Sequence, residues 1–190
     1  MFNRAINAGL MSAAIAFGLA LSGQARADLT AAEAADLTAE AKATLAQFEA
    51  DTKGAKEVLA NAKGVLVCPK IRKGGFTIGL EGGKCVLTSG SEQPIYYGST
   101  ALKAGFIVGY ESHSMILAFN TDTALAKFTK GEREWEFGVD ASVAVAKLSA
   151  GGDLDTTNLN KDVVSFIFGS KGLIADATWE GSRFKKLDVK

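Results

Sequence analysis

The sequence predicts an α+β fold, in which N-terminal helices lead into a glycine-rich antiparallel sheet or partly closed β-barrel. Three observations carry this expectation. Apolar residues recur at helical spacing up to about residue 62. From Val65 the apolar period shortens to two. Glycines then recur at 74, 75, 79, 82, 83, 105, 109 and 138, which suits the bulges and tight bends of a curved sheet.

The helical part opens at Thr30. Thr30 followed three places on by Glu33 has the form of a capping box, which satisfies otherwise free amides at a helix start. Leu37, Ala41, Leu45, Phe48, Ala55 and Leu59 then fall on one helix face. Asp51-Thr52-Lys53-Gly54 interrupts the run and predicts a second short helix from about Ala55 to Ala62, with Gly64 as a stop. Val65 to Cys68 reads as a strand closed by Pro69. Phe76 to Leu80 and Lys84 to Thr88 read as a hairpin turning at Gly82-Gly83. Ala104 to Tyr110 and Ser114 to Asn120 read as another hairpin, with His113 near its turn. Thr121 or Asn120 is placed to cap a helix from Asp122 to Phe128. Further strands are expected around 136–147, 163–168 and 173–180.

Residues 1–27 read as a cleaved secretory signal. Arg4 gives a positive start, Ala8 to Leu21 is small and apolar, and Ala25-Arg26-Ala27 has the A-x-A form that signal peptidase cuts. The apolar run is shorter than the ~20 residues of a bilayer span. Gln24 stands where a lipoprotein would carry its cysteine. The expectation is a soluble periplasmic or secreted product, residues 28–190, forming one domain with its helical segment at 28–62.

Charge excludes some function classes. The precursor carries 21 basic and 21 acidic residues; the leader takes away Arg4 and Arg26 and no acid, leaving the remainder at formal −2. That argues against nucleic acid as a partner. Within this acidic chain, Lys53, Lys56, Lys63, Lys70, Arg72 and Lys73 accompany a single acid, Glu57. Arg183, Lys185, Lys186 and Lys190 form a second basic cluster. Such residues are drawn to anionic headgroups if they share a face; otherwise they are a solvated surface.

Catalytic constellations are missing from the sequence. His113 is the single histidine, and no G-x-S-x-G elbow accompanies it. Gly79 to Lys84 lacks the spacing of a phosphate loop. Asp153 and Asp155 lack the glutamate of a calcium loop. Asp140 lies among small and apolar residues and reads as a structural acid, with a hydrolase role as the minor alternative. Cys68 and Cys85 have no zinc-finger spacing. They either form a disulfide, as extracytoplasmic cysteines tend to, or sit as two small buried side chains. No metal, cofactor or catalytic residue is expected.

Three blocks carry a family resemblance. They are Ala62-Lys63-Gly64-Val65-Leu66-Val67-Cys68-Pro69-Lys70 with Lys73-Gly74-Gly75-Phe76; Gly138-Val139-Asp140-Ala141-Ser142-Val143-Ala144; and Ser170-Lys171-Gly172-Leu173-Ile174-Ala175 with Glu180-Gly181-Ser182. In this order and spacing the chain resembles the SYLF domain family, also described as a lipid- or actin-binding domain. The resemblance implies binding without catalysis. It implies an anionic phospholipid or membrane surface as partner, held by Lys53, Lys56, Lys63, Lys70, Arg72 and Lys73, with Gly74 and Gly75 offering backbone amides as an anion nest. Export makes actin an unlikely partner on this reading. The alternative is a structural or protein-interaction factor of the cell envelope.

Overall fold

The computed structural model describes residues 28–75, 78–90, 92–104, 109–130, 135–136, 143–146, 154, 159–169, 172–173 and 181–190. The leader, Asp140, Asp153 and Asp155 lie outside the described residues. The architecture is α+β, with N-terminal helices and a curled, mainly antiparallel sheet that forms a half-barrel.

Helix α1 runs from Ala31 to Asp51. Its capping box is complete: the Glu33 amide donates to the Thr30 hydroxyl at 3.2 Å, and the Thr30 amide donates to the Glu33 carboxylate at 2.9 Å. The Thr30 amide and hydroxyl, and then Lys84, hold the Glu33 carboxyl below its ordinary pKa. Thr52 ends the helix, and Gly54, at φ 84°, turns the chain into α2, Ala55–Ala60. A left-handed backbone of this kind favours glycine.

The strands are β1 Gly64–Gly75, β2 Ile78–Thr88, β3 Ile95–Ala104, β4 Gly109–Phe119, β5 Trp135–Glu136, β6 Val143–Val145, β7 Val163–Gly169, β8 Gly172–Leu173 and β9 Arg183–Leu187; α3, Asp122–Lys130, follows β4. Among the described residues the sheet order is β5-β9-β3-β2-β1-β4-β7-β6, with β8 beside β7. All pairings are antiparallel except β6 with β7.

Alternation along the strands gives the sheet two apolar faces. On the outer face, Val67, Val86, Ile116, Ala118, Val164, Phe166 and Phe168 meet Leu37, Ala41, Phe48, Ala55 and Leu59 of α1 and α2. The Phe48 ring lies 5.0 Å from Phe166 and 5.2 Å from Phe168. On the inner face, Leu66, Leu87, Tyr97, Met115, Leu117 and Phe119 pack with Ala124 and Phe128 of α3. Phe128 sits among Tyr97, Phe119, Trp135 and Phe184, with ring centroids 4.7 to 5.8 Å away. The α3 start is capped at Thr121, whose hydroxyl accepts from the Ala124 amide at 3.2 Å.

Two expectations about the central strands need correction. The first is that a strand ends at Pro69. The chain instead continues through Pro69 as one strand, taking in one extra residue between Cys68 and Ile71 relative to both neighbours. Such a β-bulge tolerates proline, which has no amide to donate. The Ser114 hydroxyl donates to the Pro69 carbonyl at 2.7 Å.

The second is a hairpin turn at Gly82-Gly83. Both glycines lie inside β2 instead, and the chain reverses between Gly75 and Ile78. The bulge explains Gly83. A Cβ there would stand 2.5 Å from the Lys70 carbonyl oxygen and 2.9 Å from the Ile71 side chain. Cys68 and Cys85 are joined by a disulfide between β1 and β2 beside this bulge, with Cα atoms 4.1 Å apart.

Gly83→Ala is expected to lower stability by about 1–3 kcal/mol, since backbone rather than a flexible side chain must yield. Gly74→Ala, at a site with nothing within 4 Å of the added carbon, should stay within roughly 0.5 kcal/mol of the parent. Chemical denaturation of both variants checks this; equal stabilities would contradict it.

Tyr97 provides a second test. Burial pushes its pKa up to about 12, and its hydroxyl has no hydrogen-bond partner among the described residues. The folded value lies above the unfolded ~10. The tyrosine's contribution is therefore complete below pH ~10 and lost as pH rises toward the folded value. Tyr97→Phe should be as stable as the parent at neutral pH and lose less stability in alkaline titration, read by thermal unfolding.

Candidate binding surface

Helix α1 covers only part of the outer face. It lies over Val67, Val86, Tyr96 and Ile116, where the Thr38 and Tyr96 hydroxyls meet at 2.9 Å. Toward the end where β1 passes into β2 and β3 into β4, the same face is open. The strand registers place its residues in transverse rows.

The middle row runs Arg183, Thr100, Gly82, Arg72, Ser112 across β9, β3, β2, β1 and β4. Three inter-strand steps separate the two arginines, roughly 14 Å. A second row, nearer α1, runs Lys185, Gly98, Lys84. The third, farther from α1, runs Leu102, Leu80, Gly74, with the pair Ala104 and Ile78 beyond it. Four cations thus surround a floor of Gly82, Gly98 and Thr100. Arg72, Lys84, Arg183 and Lys185 are all exposed.

The floor is shallow because its residues are small. At Gly82 an added Cβ would already lie 3.0 Å from the Ser99 carbonyl oxygen. Lys84 pairs with Glu33 at 3.4 Å, and Arg183 with Glu136 at 3.3 Å. Arg72 and Lys185 have no ion-pair partner among the described residues. The field of this surface therefore rests most on those two.

The basic residues singled out in the sequence are distributed over several places. Lys53 lies exposed between α1 and α2, Lys56 lies exposed on α2, and Lys63 precedes β1, its amide donating to the Phe119 carbonyl at 2.7 Å. The length of β1 puts Lys63 roughly 30 Å from Arg72. Lys70 is exposed at the bulge. Lys73 points to the inner face, half-buried, with Glu81 and Glu111 as register partners. Gly74 and Gly75 are paired on both sides, so their backbone belongs to the sheet ladder and does not form a nest. The structure instead brings Arg72 together with Arg183 and Lys185 of the second cluster. Sequence reasoning missed Lys84 as a member, since its place depends on register.

His113 is also placed differently from expectation. It lies within β4 on the inner face, opposite Ile71, with Nε2 3.1 Å from the Glu81 carboxylate. The side chains are 12% and 5% exposed. Tyr110 and Ser114 lie in the same strand, β4, which pairs with β1 and β7, so the hairpin expected to turn near His113 is not formed. Among the described residues no group of three or more His, Cys, Asp or Glu is placed to hold a metal.

Comparison with known proteins gives a consistent picture. Residues 100–188 match the Ysc84 family, described as "Las17-binding protein actin regulator". The match takes in Thr100, Leu102, Arg183 and Lys185; Arg72, Leu80 and Lys84 precede it. The SH3 domain-containing YSC84-like protein 1 of Pongo abelii is 29% identical over 130 residues, covering 66% of this chain. The chain spans 37% of the length of that relative. These findings correct one expectation. Actin was set aside on the ground of export, and the match to a family described as an actin regulator overturns that exclusion. Residues 100–188 thus match a SYLF domain of the Ysc84 family, whose domains are non-catalytic binding modules of lipid- or actin-related function.

Proposed function

We propose that this protein is an exported binding module that recognises anionic or amphiphilic lipid at a membrane surface through the open half of its outer sheet face. The row Arg183-Thr100-Gly82-Arg72, backed by Lys185 and Lys84, is the observation that carries the reading. Arginine suits phosphate oxygens because its fork donates two parallel hydrogen bonds. The small residues between the cations let a headgroup approach the sheet without a steric barrier. Export is supported by the leader in the sequence and by the Cys68–Cys85 disulfide, which suits an oxidising compartment.

A second reading follows from the family description. The same cations would face an acidic protein surface, and an actin-type filament is the partner that description favours. An envelope protein would be met in the same way. The lipid reading stands first because the cations are spread in rows across several strands of an exposed sheet face.

The two readings separate in co-sedimentation. Purified protein should sediment with phosphatidylglycerol or cardiolipin vesicles at low salt, not with neutral phosphatidylcholine, and should be released by high salt. Arg72→Ala/Lys185→Ala should weaken binding roughly 10- to 30-fold, at about 1 kcal/mol per cation. Lys53→Ala/Lys56→Ala, away from the open face, should bind as the parent does. Sedimentation with actin filaments but with no vesicle would move the assignment to the second reading.

A further inference from the structure

Among the described residues the exposed large hydrophobic side chains are Leu80, Leu102 and Val189, at 61%, 73% and 45% exposure. Two of these are direct cross-strand partners, since Leu80 pairs in register with Leu102. Directly opposed residues hold their Cβ atoms ~4.5–5.5 Å apart, so the two leucines form one apolar patch. Both stand on the outer face, at the end of the sheet that α1 leaves uncovered.

Their position relative to the cations points to what covers them. The arginine row, at Gly82 and Thr100, lies two residues behind the leucines, and the lysine row, at Lys84 and Gly98, lies two further. At ~3.3 Å per residue the arginines sit roughly 7 Å behind the leucines and the lysines roughly 13 Å behind. Interfacial apolar groups bury ~5–10 Å into the boundary between headgroups and acyl chains. With the leucines at that depth, the arginines come level with the phosphates and the lysines with the outer headgroup zone.

We infer that Leu80 and Leu102 form an apolar foot that enters the acyl layer of an anionic bilayer, with β2 and β3 upright behind it. This rests on the lipid reading above and adds a depth and an orientation to it. The occupant is a bilayer and not a protein groove, because the gradient from leucine to arginine to lysine runs along the strands, normal to the surface on which the sheet would stand.

The test is pressure rise in a phosphatidylglycerol monolayer, with vesicle binding in parallel. The parent should raise surface pressure, and Leu80→Ser/Leu102→Ser should not. The serine variant should retain salt-sensitive vesicle binding, weakened roughly 30- to 1000-fold by the loss of two buried leucines. Leu80→Ile/Leu102→Ile should insert like the parent. Thermal unfolding of each variant verifies the fold.

Equal pressure rises from parent and serine variant would overturn the foot while leaving headgroup binding intact. Absence of any vesicle binding by the parent would remove the lipid reading, and the foot with it. A dimer of the parent that the serine variant turns into monomer in lipid-free solution would assign the leucines to a second copy of the chain, and would likewise overturn the inference.

Discussion

One extra residue in β1 sets the arrangement on which the rest depends. Side chains alternate strictly along a strand, so a single insertion exchanges the faces of everything beyond it. Before the bulge, Leu66 and Cys68 face inward and Val67 faces α1. Beyond it, Ile71 again faces inward, and Arg72 takes the open outer face. Without the extra residue Arg72 would point into the inner apolar core. The insertion is accommodated by three neighbours: Pro69, with no amide to leave unpaired; Ser114, which donates to the Pro69 carbonyl; and Gly83, whose missing side chain makes room for the Lys70 carbonyl. The disulfide fixes β1 to β2 at the same level.

Apolar burial and exposed charge thereby fall on different parts of the same strands. Near α1, both faces of the central sheet are buried, by aromatic and aliphatic side chains. At the other end the outer face gives up that burial and carries arginine, lysine, glycine and exposed leucine. The inner face stays closed there, but with polar content: the Glu81–His113 pair occupies positions that Leu87 and Leu117 fill further up the same strands.

Much of the fold was legible in the sequence because its signals are local. The capping box at Thr30 and Glu33, the break at Thr52–Gly54 and the cap at Thr121 each act within a few residues, and each is present in the structure. The central strands were misread where a local signal had a non-local cause. Gly82-Gly83 has the composition of a turn, yet these glycines answer to carbonyls on β1 and β3. Pro69 looks like a strand end, yet the bulge absorbs it. The same limit applies to the surface. Basic residues close in sequence are kept apart: Lys63 precedes β1, and Arg72 lies near its far end. Arg72 and Arg183, 111 positions apart, fall in one row through three register pairs that no local pattern encodes.

The spacing of that row also bears on how binding depends on composition. Hydrogen-bonded strands hold Arg72 and Arg183 at a fixed separation, so the cations are not free to gather around a single small anion. On the proposed lipid reading each engages its own headgroup, and the second contact forms at an effective concentration set by the first. Attachment then follows the surface density of anionic headgroups more steeply than in proportion. On that reading a sheet with cations at fixed spacing responds to how crowded the charged lipids are, and registers a sparse film of the same lipid hardly at all.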